Sequence, residues 1–442
     1  MERNTTRRWA RLGAVVGTGA LLVGVLAGCS GAAPGDNGST DTDAALKEDV
    51  TLTWWTWSDT TQEQADAISK VYPNVTFDVV KLENPDAVVT KLQNAIKAGK
   101  GAPDIVPVEY QTLPQLTLGD ALADLAPYGL GEYEDDFTAS TWNAVNVQDQ
   151  LVALPGDSGP MVMIYNKALY EKAGITEAPT TWDEFAVASA AIHAADPEAY
   201  IANSGDAGFF TSMIWASGGQ PFKTEGENIT IDLQDEGTKK FADFWSERLS
   251  NGELSGLSTW SDEWTKALTQ DKLGTLLMGS WMISGGMEDY GPAGRFQVAP
   301  MPTWDGEPAS AENGGSGIAV TSQSKNKAAA AGILKYLADG EGRALLNANG
   351  FPSTIADLEN PEFLDYEFPG YSGQAANQIG AASSASVITG WQYLPYQGYA
   401  NNVFSDSVGK ALGSNGDLNA ALLEWQDTLV QYGNEQGFSV NK

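Results

Sequence analysis

Gly156-Asp157-Ser158-Gly159-Pro160 presents a serine on a tight turn, the setting of a serine-protease nucleophile. Acyl transfer from serine needs a base within hydrogen-bond reach and a third group to orient that base. The sole histidine, His193, comes after the serine and inside a segment patterned as a helix, whereas the protease order puts the base first. Cys29 is the only cysteine, so no disulfide supports such a barrel. Ser158 is therefore an unactivated serine, and His193, beside Ile192, reads as a structural or surface histidine. One cysteine and one histidine also rule out Cys-rich zinc sites, iron–sulfur clusters and thiol catalysis, and no metal or cofactor is expected. What remains is carboxylate and aromatic chemistry: 57 acidic against 25 basic residues, a net charge of −32, 14 Trp and 15 Tyr. So acidic a surface repels nucleic acid, whose phosphates require basic partners. It favours an uncharged or cationic ligand, and the aromatic faces suit a flat, partly apolar one.

The elements that must position these groups follow from pattern. At 442 residues the chain exceeds what one hydrophobic core serves, and two lobes are expected. Met161 to Tyr165 is bulky without polar alternation, which predicts a strand covered on both faces. The Gly/Pro turn before it marks a passage between lobes, with Asp157 and Ser158 facing a cleft. Upstream, Val50 to Trp54 reads as strand, Thr61 to Val71 as helix and Val75 to Val80 as strand. Asn84-Pro85 opens a second helix that Gly99 ends, and Ala102 to Val108 gives a third strand. Such alternation implies a mainly parallel sheet flanked by helices, with ligands beyond the carboxyl ends of its strands. That rule selects Trp55, Trp57 and Ser58 after the first strand, and Glu109 and Gln111 after the third. Downstream the rhythm repeats: a capping box at Thr181 to Glu184, helices over Gly237 to Leu249 and Trp260 to Leu268, and a strand from Leu273 to Met278. Further strands are expected at Phe296 to Pro302 and, after Asn313-Gly-Gly-Ser-Gly317, through Val320; an Ala-rich helix reaches Ala338, and helical stretches near Tyr399 to Leu412 and Leu418 to Tyr432 finish the chain.

The N-terminus reads as a targeting segment. Arg3, Arg7, Arg8 and Arg11 precede a short apolar run, Leu12 to Ala27, too rich in small residues for a membrane span. It closes on Leu26-Ala27-Gly28-Cys29, which resembles a bacterial lipobox, so residues 1–28 are expected to be a lipoprotein signal peptide and Cys29 the lipid attachment. Arg7-Arg8 departs from a twin-arginine signal at Ala10 and Arg11, favouring the general export route. Residues 29–49, small, polar and acidic, read as a flexible tether.

Several stretches together resemble the family-1 extracellular solute-binding proteins of ABC importers, the group that includes maltose-binding protein. They are Tyr72-Pro-Asn-Val-Thr-Phe77, Gly101-Ala-Pro-Asp-Ile-Val106, Val162 to Ile175 with its Ile-Tyr-Asn-Lys core, Pro179-Thr-Thr-Trp-Asp-Glu-Phe185, Gly279-Ser-Trp281, and Gly317 to Val320 with Ser324-Lys-Asn-Lys327. The resemblance implies an α/β, two-lobe periplasmic-binding-protein-like fold of type II. Each lobe would be a mixed, mainly parallel sheet flanked by helices, and the lobes would close on ligand about a hinge. By similarity the chain crosses near Asp157, near Pro300 to Trp304 and near Ala338 to Gly342. That gives one lobe of 50–157 and 300–340 and another of 158–299 and 341–442. The implied function is an extracytoplasmic lipoprotein, monomeric and lipid-anchored to the cell membrane at Cys29, that captures an oligosaccharide and delivers it to ABC permease subunits, without enzymatic activity. Sugars need flat apolar surface and planar hydrogen-bonding groups. Trp57 and Ser58 match the family's first-strand loop, and Trp281 matches a second-lobe tryptophan that stacks on sugar. Asp157 at the crossing, and Trp391, Tyr393 and Tyr396 in an irregular aromatic segment, complete the candidate set, while Phe209 and Phe210 read as core. Maltose-binding relatives carry Asp-Arg where this chain has Gln111 and Thr112, so maltose is not the expected ligand. Two other classes stay open: a binding protein for a non-sugar such as a polyamine, and a secreted glycoside hydrolase working through paired carboxylates.

Overall fold

A computed structural model describes residues 39–285, 287–347 and 350–442. The expected signal peptide, Cys29 and the first part of the expected tether lie outside the described residues. The later part of that tether is folded. Asp41 caps the short helix Thr42–Ala45 by accepting from the Ala44 N–H at 2.9 Å, and Thr42 and Leu46 are buried. Both settle over Gly332, where a Cβ would come within 2.9 Å of the Leu46 side chain. Gly332 lies in the Ala-rich helix Lys327–Ala338, whose small side chains leave a groove. One buried leucine is worth about 1.5–3 kcal/mol, enough to dock a segment whose composition is otherwise that of a linker.

The strands that position the site are β1 (Val50–Thr56), β2 (Val75–Lys81), β3 (Ile105–Glu109), β4 (Leu154–Pro155), β5 (Met161–Asn166), β6 (Thr275–Gly279), β7 (Phe296–Ala299) and β8 (Ser316–Val320). The first sheet has the order β2-β1-β3-β8-β4. β1 pairs parallel with β2 and β3, through the crossover helices Thr61–Val71 and Pro85–Lys97, and β8 returns antiparallel beside β3 and β4. Asn84 caps the second helix, with Pro85 at its first turn, as the pattern predicts.

In the second sheet the order is β6-β5-β7, and both pairings are antiparallel. The mainly parallel pairing expected for each lobe thus holds in β2-β1-β3 and gives way here. β6 and β7 both run against β5, so the helices between them need not act as parallel crossovers. β5 is buried on both faces as its sequence predicts: Met161 and Met163 point into one core with Phe185, Phe210 and Trp245, and Val162 and Ile164 into another with Trp264 and Phe296.

Three segments run side by side where the chain passes between the sheets. The Gly156 N–H donates to the Ser316 carbonyl at 2.8 Å, the Ser158 N–H to the Phe351 carbonyl at 2.9 Å, and the Asn313 N–H to the Gly159 carbonyl at 2.7 Å. The two partners of the 156–160 segment therefore lie farther along the chain than Pro300 to Trp304 and Ala338 to Gly342. Met301 and Trp304 pack on the second core, and Leu346 on the first.

Candidate ligand-binding site

Because β1 and β3 are parallel neighbours in register at Trp54 and Ile105, the segments leaving their carboxyl ends meet on one side of the sheet. There they bound a cavity of about 330 Å³ lined by Trp54, Trp57, Ser58, Glu109, Asp157 and Trp281, among others. No Lys, Arg or His is among the described residues that line it. The turn after β1 is shaped by hydroxyls. Thr56 Oγ1 lies 2.7 Å from Thr61 Oγ1 and accepts from the Ser58 N–H at 2.9 Å, which turns Trp57 and Ser58 toward the opening.

Strand parity separates two adjacent tryptophans. Trp54 is buried yet reaches the cavity wall. Trp55 points to the other face and lies under the Lys91 ammonium, 4.2 Å from its ring centre, outside the cavity. Gln111 also faces elsewhere: its Nε2 donates to Glu109 at 2.7 Å and its Oε1 accepts from Asn401 at 2.8 Å. Trp391 and Tyr393 line a separate cavity of about 730 Å³, where Trp391 stacks on Trp215 with ring centres 4.6 Å apart. Tyr396 is core, its hydroxyl donating to the Leu429 carbonyl at 3.1 Å. Five of the sequence candidates, Trp57, Ser58, Glu109, Asp157 and Trp281, therefore share one cavity.

Trp281 follows β6, and its indole N–H donates to the Asn313 carbonyl at 2.7 Å. This requires glycine at 279: a Cβ there would stand 2.2 Å from the indole nitrogen and 2.5 Å from that carbonyl oxygen. Asp157 accepts at one carboxylate oxygen from both the N–H and the hydroxyl of Ser316, each at 2.6 Å, and its carbonyl accepts from the Tyr110 hydroxyl at 2.7 Å. Burial pushes its carboxyl up to about 7; the Ser316 bonds oppose the shift, and the charges of Glu312 and Glu109 add to it. Burial also raises Glu109, against the hydrogen bond from Gln111.

The sign of the resulting pH dependence is fixed. A carboxyl near 7 in the fold and near 3.8 unfolded holds a proton in the folded state that the unfolded chain gives up. The stability it contributes is full below about pH 4 and is lost as pH rises through about 7. Asp157→Asn, whose amide oxygen can accept both Ser316 bonds, is expected to flatten this decline, so that its melting temperature gains on the wild type between pH 4 and 7.5. Parallel melting curves for the two proteins across that range would contradict the assignment.

Sequence reasoning missed Glu312. It is fully buried and accepts from Ser140 Oγ at 2.7 Å, Ser158 Oγ at 3.2 Å and the Gly159 N–H at 2.7 Å. Its own carbonyl accepts from Ser212 Oγ at 2.8 Å. Ser158 thus donates to a carboxylate, and His193 sits apart on the helix Trp182–Ala195, its ring facing Gly252. In sequence, Glu312 is one acid among 57, ahead of a Gly-rich turn, and nothing local distinguishes it from a solvated loop residue. Among the described residues no cluster of His, Cys, Asp or Glu is arranged to hold a metal ion, and no helix is long and apolar enough to cross a membrane.

Comparison with known proteins agrees with this architecture. An ABC-transporter-associated binding protein from B. animalis subsp. lactis Bl-04, solved with β-1,6-galactobiose, superposes with a TM-score of 0.79 at 36% identity, covering 89% of this chain and 99% of that one. The galacto-N-biose/lacto-N-biose I-binding protein of Bifidobacterium longum, solved with lacto-N-biose, gives 0.75 at 24% identity over 89% and 99%. The arabinooligosaccharide-binding protein of Halalkalibacterium halodurans is 22% identical over 377 residues, 80% of this chain and 84% of that relative. The profile of the bacterial extracellular solute-binding proteins matches residues 54–344, and with that match, on a two-lobed fold carrying an aromatic cavity, the chain belongs to this family.

Proposed function

We propose that the protein captures a short, neutral oligosaccharide in the cavity between its lobes and delivers it to an ABC importer. The observation that carries this reading is the lining itself: among the described residues, three tryptophans and two carboxylates with no basic side chain. Indole faces suit the C–H faces of pyranose rings, carboxylates accept from paired hydroxyls, and the absence of cations disfavours phosphates and sugar acids. The relative at 36% identity holds β-1,6-galactobiose, which makes that disaccharide the first candidate. The lobes are taken as 39–156 with 316–347, and 160–310 with 353–442. They hinge on the paired segments around Asp157, Glu312 and Phe351, and ligand contacts made only when both lobes touch the sugar would drive closure. The protein acts as a monomer and as a binding protein without turnover. After removal of residues 1–28 it is anchored outside the cytoplasm through lipid on Cys29.

Calorimetry of residues 30–442 against β-1,6-galacto-, α-1,5-arabino-, β-1,4-xylo- and α-1,4-gluco-oligosaccharides tests the reading. At least one sugar is expected to bind with micromolar or tighter affinity and to change the tryptophan fluorescence. No heat, no fluorescence change and an unchanged melting temperature across the panel would remove it. The uncompensated Asp157 and Glu109 also suit a cationic ligand, so spermidine belongs in the panel. Chromatography of the incubated sugars separates capture from hydrolysis, because capture leaves them intact.

A further inference from the structure

Among the described residues Trp260 is the one tryptophan that is mostly exposed, at 52%. The sequence pattern puts it in the first turn of a helix, but the helix begins at Asp262, because Ser261 takes the cap position and accepts from the Trp264 N–H at 3.1 Å. Trp260 instead occupies the third position of a turn closed by the Ser261 N–H on the Ser258 carbonyl at 3.2 Å, with φ at +69°. That position calls for glycine or asparagine, and a bulky aromatic residue meets steric opposition there. A chain selected for stability alone would not place a large, solvent-facing indole at this point. Strain of this kind concentrates at ligand clamps, and the surrounding packing must hold it in place.

The ring's neighbours show what holds it and where it leads. Its centre lies 5.2 Å from that of Trp264, which is fully buried, and 5.9 Å from that of Trp281, to which it is inclined by only 33°. Trp264 anchors the group to the core, Trp281 lines the cavity, and Trp260, outside that lining, sets an exposed indole beside Trp281. We infer that Trp260 is an outer stacking platform for the sugar unit that follows those held in the cavity, so that the site distinguishes ligands by chain length.

This inference rests on the saccharide reading of the cavity, and one experiment separates the two. Binding of wild type, Trp260→Ala and Trp260→Phe is measured by calorimetry with matched di- and trisaccharides of the β-1,6-galacto, α-1,5-arabino, β-1,4-xylo and α-1,4-gluco series. For the series that binds, Trp260→Ala is expected to leave the disaccharide Kd within twofold. It should weaken the trisaccharide roughly fivefold to thirtyfold, the scale of losing one exposed aromatic contact. Trp260→Phe should recover most of that loss, and it preserves falsifiability if the alanine variant folds poorly. Equal weakening of both lengths, or no weakening of the trisaccharide, overturns the inference and leaves the saccharide reading standing. Wild-type protein that binds none of the eight sugars overturns that reading, and this inference with it.

Discussion

Trp281→Ala is expected to weaken capture of the bound saccharide about 30- to 100-fold, or roughly 2–3 kcal/mol, the scale of a central aromatic contact at a binding site. Two properties of the residue set this size. Its ring lines the cavity together with the groups presented by β1 and β3. Its orientation is fixed in advance by the N–H bond to Asn313 and by the space that Gly279 leaves, so little freedom is lost on binding. Trp281→Phe keeps an aromatic face but loses that bond, and an intermediate loss is expected. The check is calorimetry with whichever sugar the wild type binds. An alanine variant within threefold of the wild type would show that the cavity holds its ligand by other means.

Glu312→Ala is expected to cause the largest loss of stability of any single change at the site. Removing the carboxylate leaves the Ser140 and Ser158 hydroxyls and the Gly159 N–H without their acceptor in a fully buried position. Each unsatisfied group costs about 1–3 kcal/mol, less where a hydroxyl can rotate to another partner. A total of about 3–5 kcal/mol is expected, read as a fall of roughly 5–10 °C in melting temperature. Glu312→Gln should keep most of the stability, since its amide oxygen can accept from Gly159 while its NH2 donates to a serine hydroxyl. If glutamine proved as damaging as alanine, the negative charge and not the hydrogen-bond geometry would be what the site requires. Because Glu312 ties the first crossing to Ser140 on one side and its backbone to Ser212 on the other, the alanine variant should also bind sugar more weakly.

The sequence by itself determined the elements and much of their order. Period-two and period-3.6 patterns, with caps at Asn84 and Thr181, are local properties, and they located β1 to β3, the doubly covered β5 and most of the longer helices. The carboxyl-end rule then placed Trp57, Ser58 and Glu109 at one cavity, because parallel pairing of β1 with β3 follows from the helices between them. Its limit appears one residue away: parity alone sends Trp54 to the cavity and Trp55 to Lys91, and the exact strand register was needed to say which.

Only the tertiary structure decided the rest. Leu46 joins the fold because Gly332, nearly three hundred residues later, leaves it a groove. Trp391, Tyr393 and Tyr396 share an aromatic segment but divide between a second cavity and a core, according to whether Trp215 or Leu429 lies opposite. Trp260 left its expected helix because Ser261 competed successfully for the cap. Glu312 became a hub because segments from three parts of the chain, around Ser140, Ser158-Gly159 and Ser212, cover it and supply its donors. Whether a carboxylate is solvated or buried depends on which distant segments pack over it, and that information is carried by long-range pairing, which no local pattern of residue types encodes.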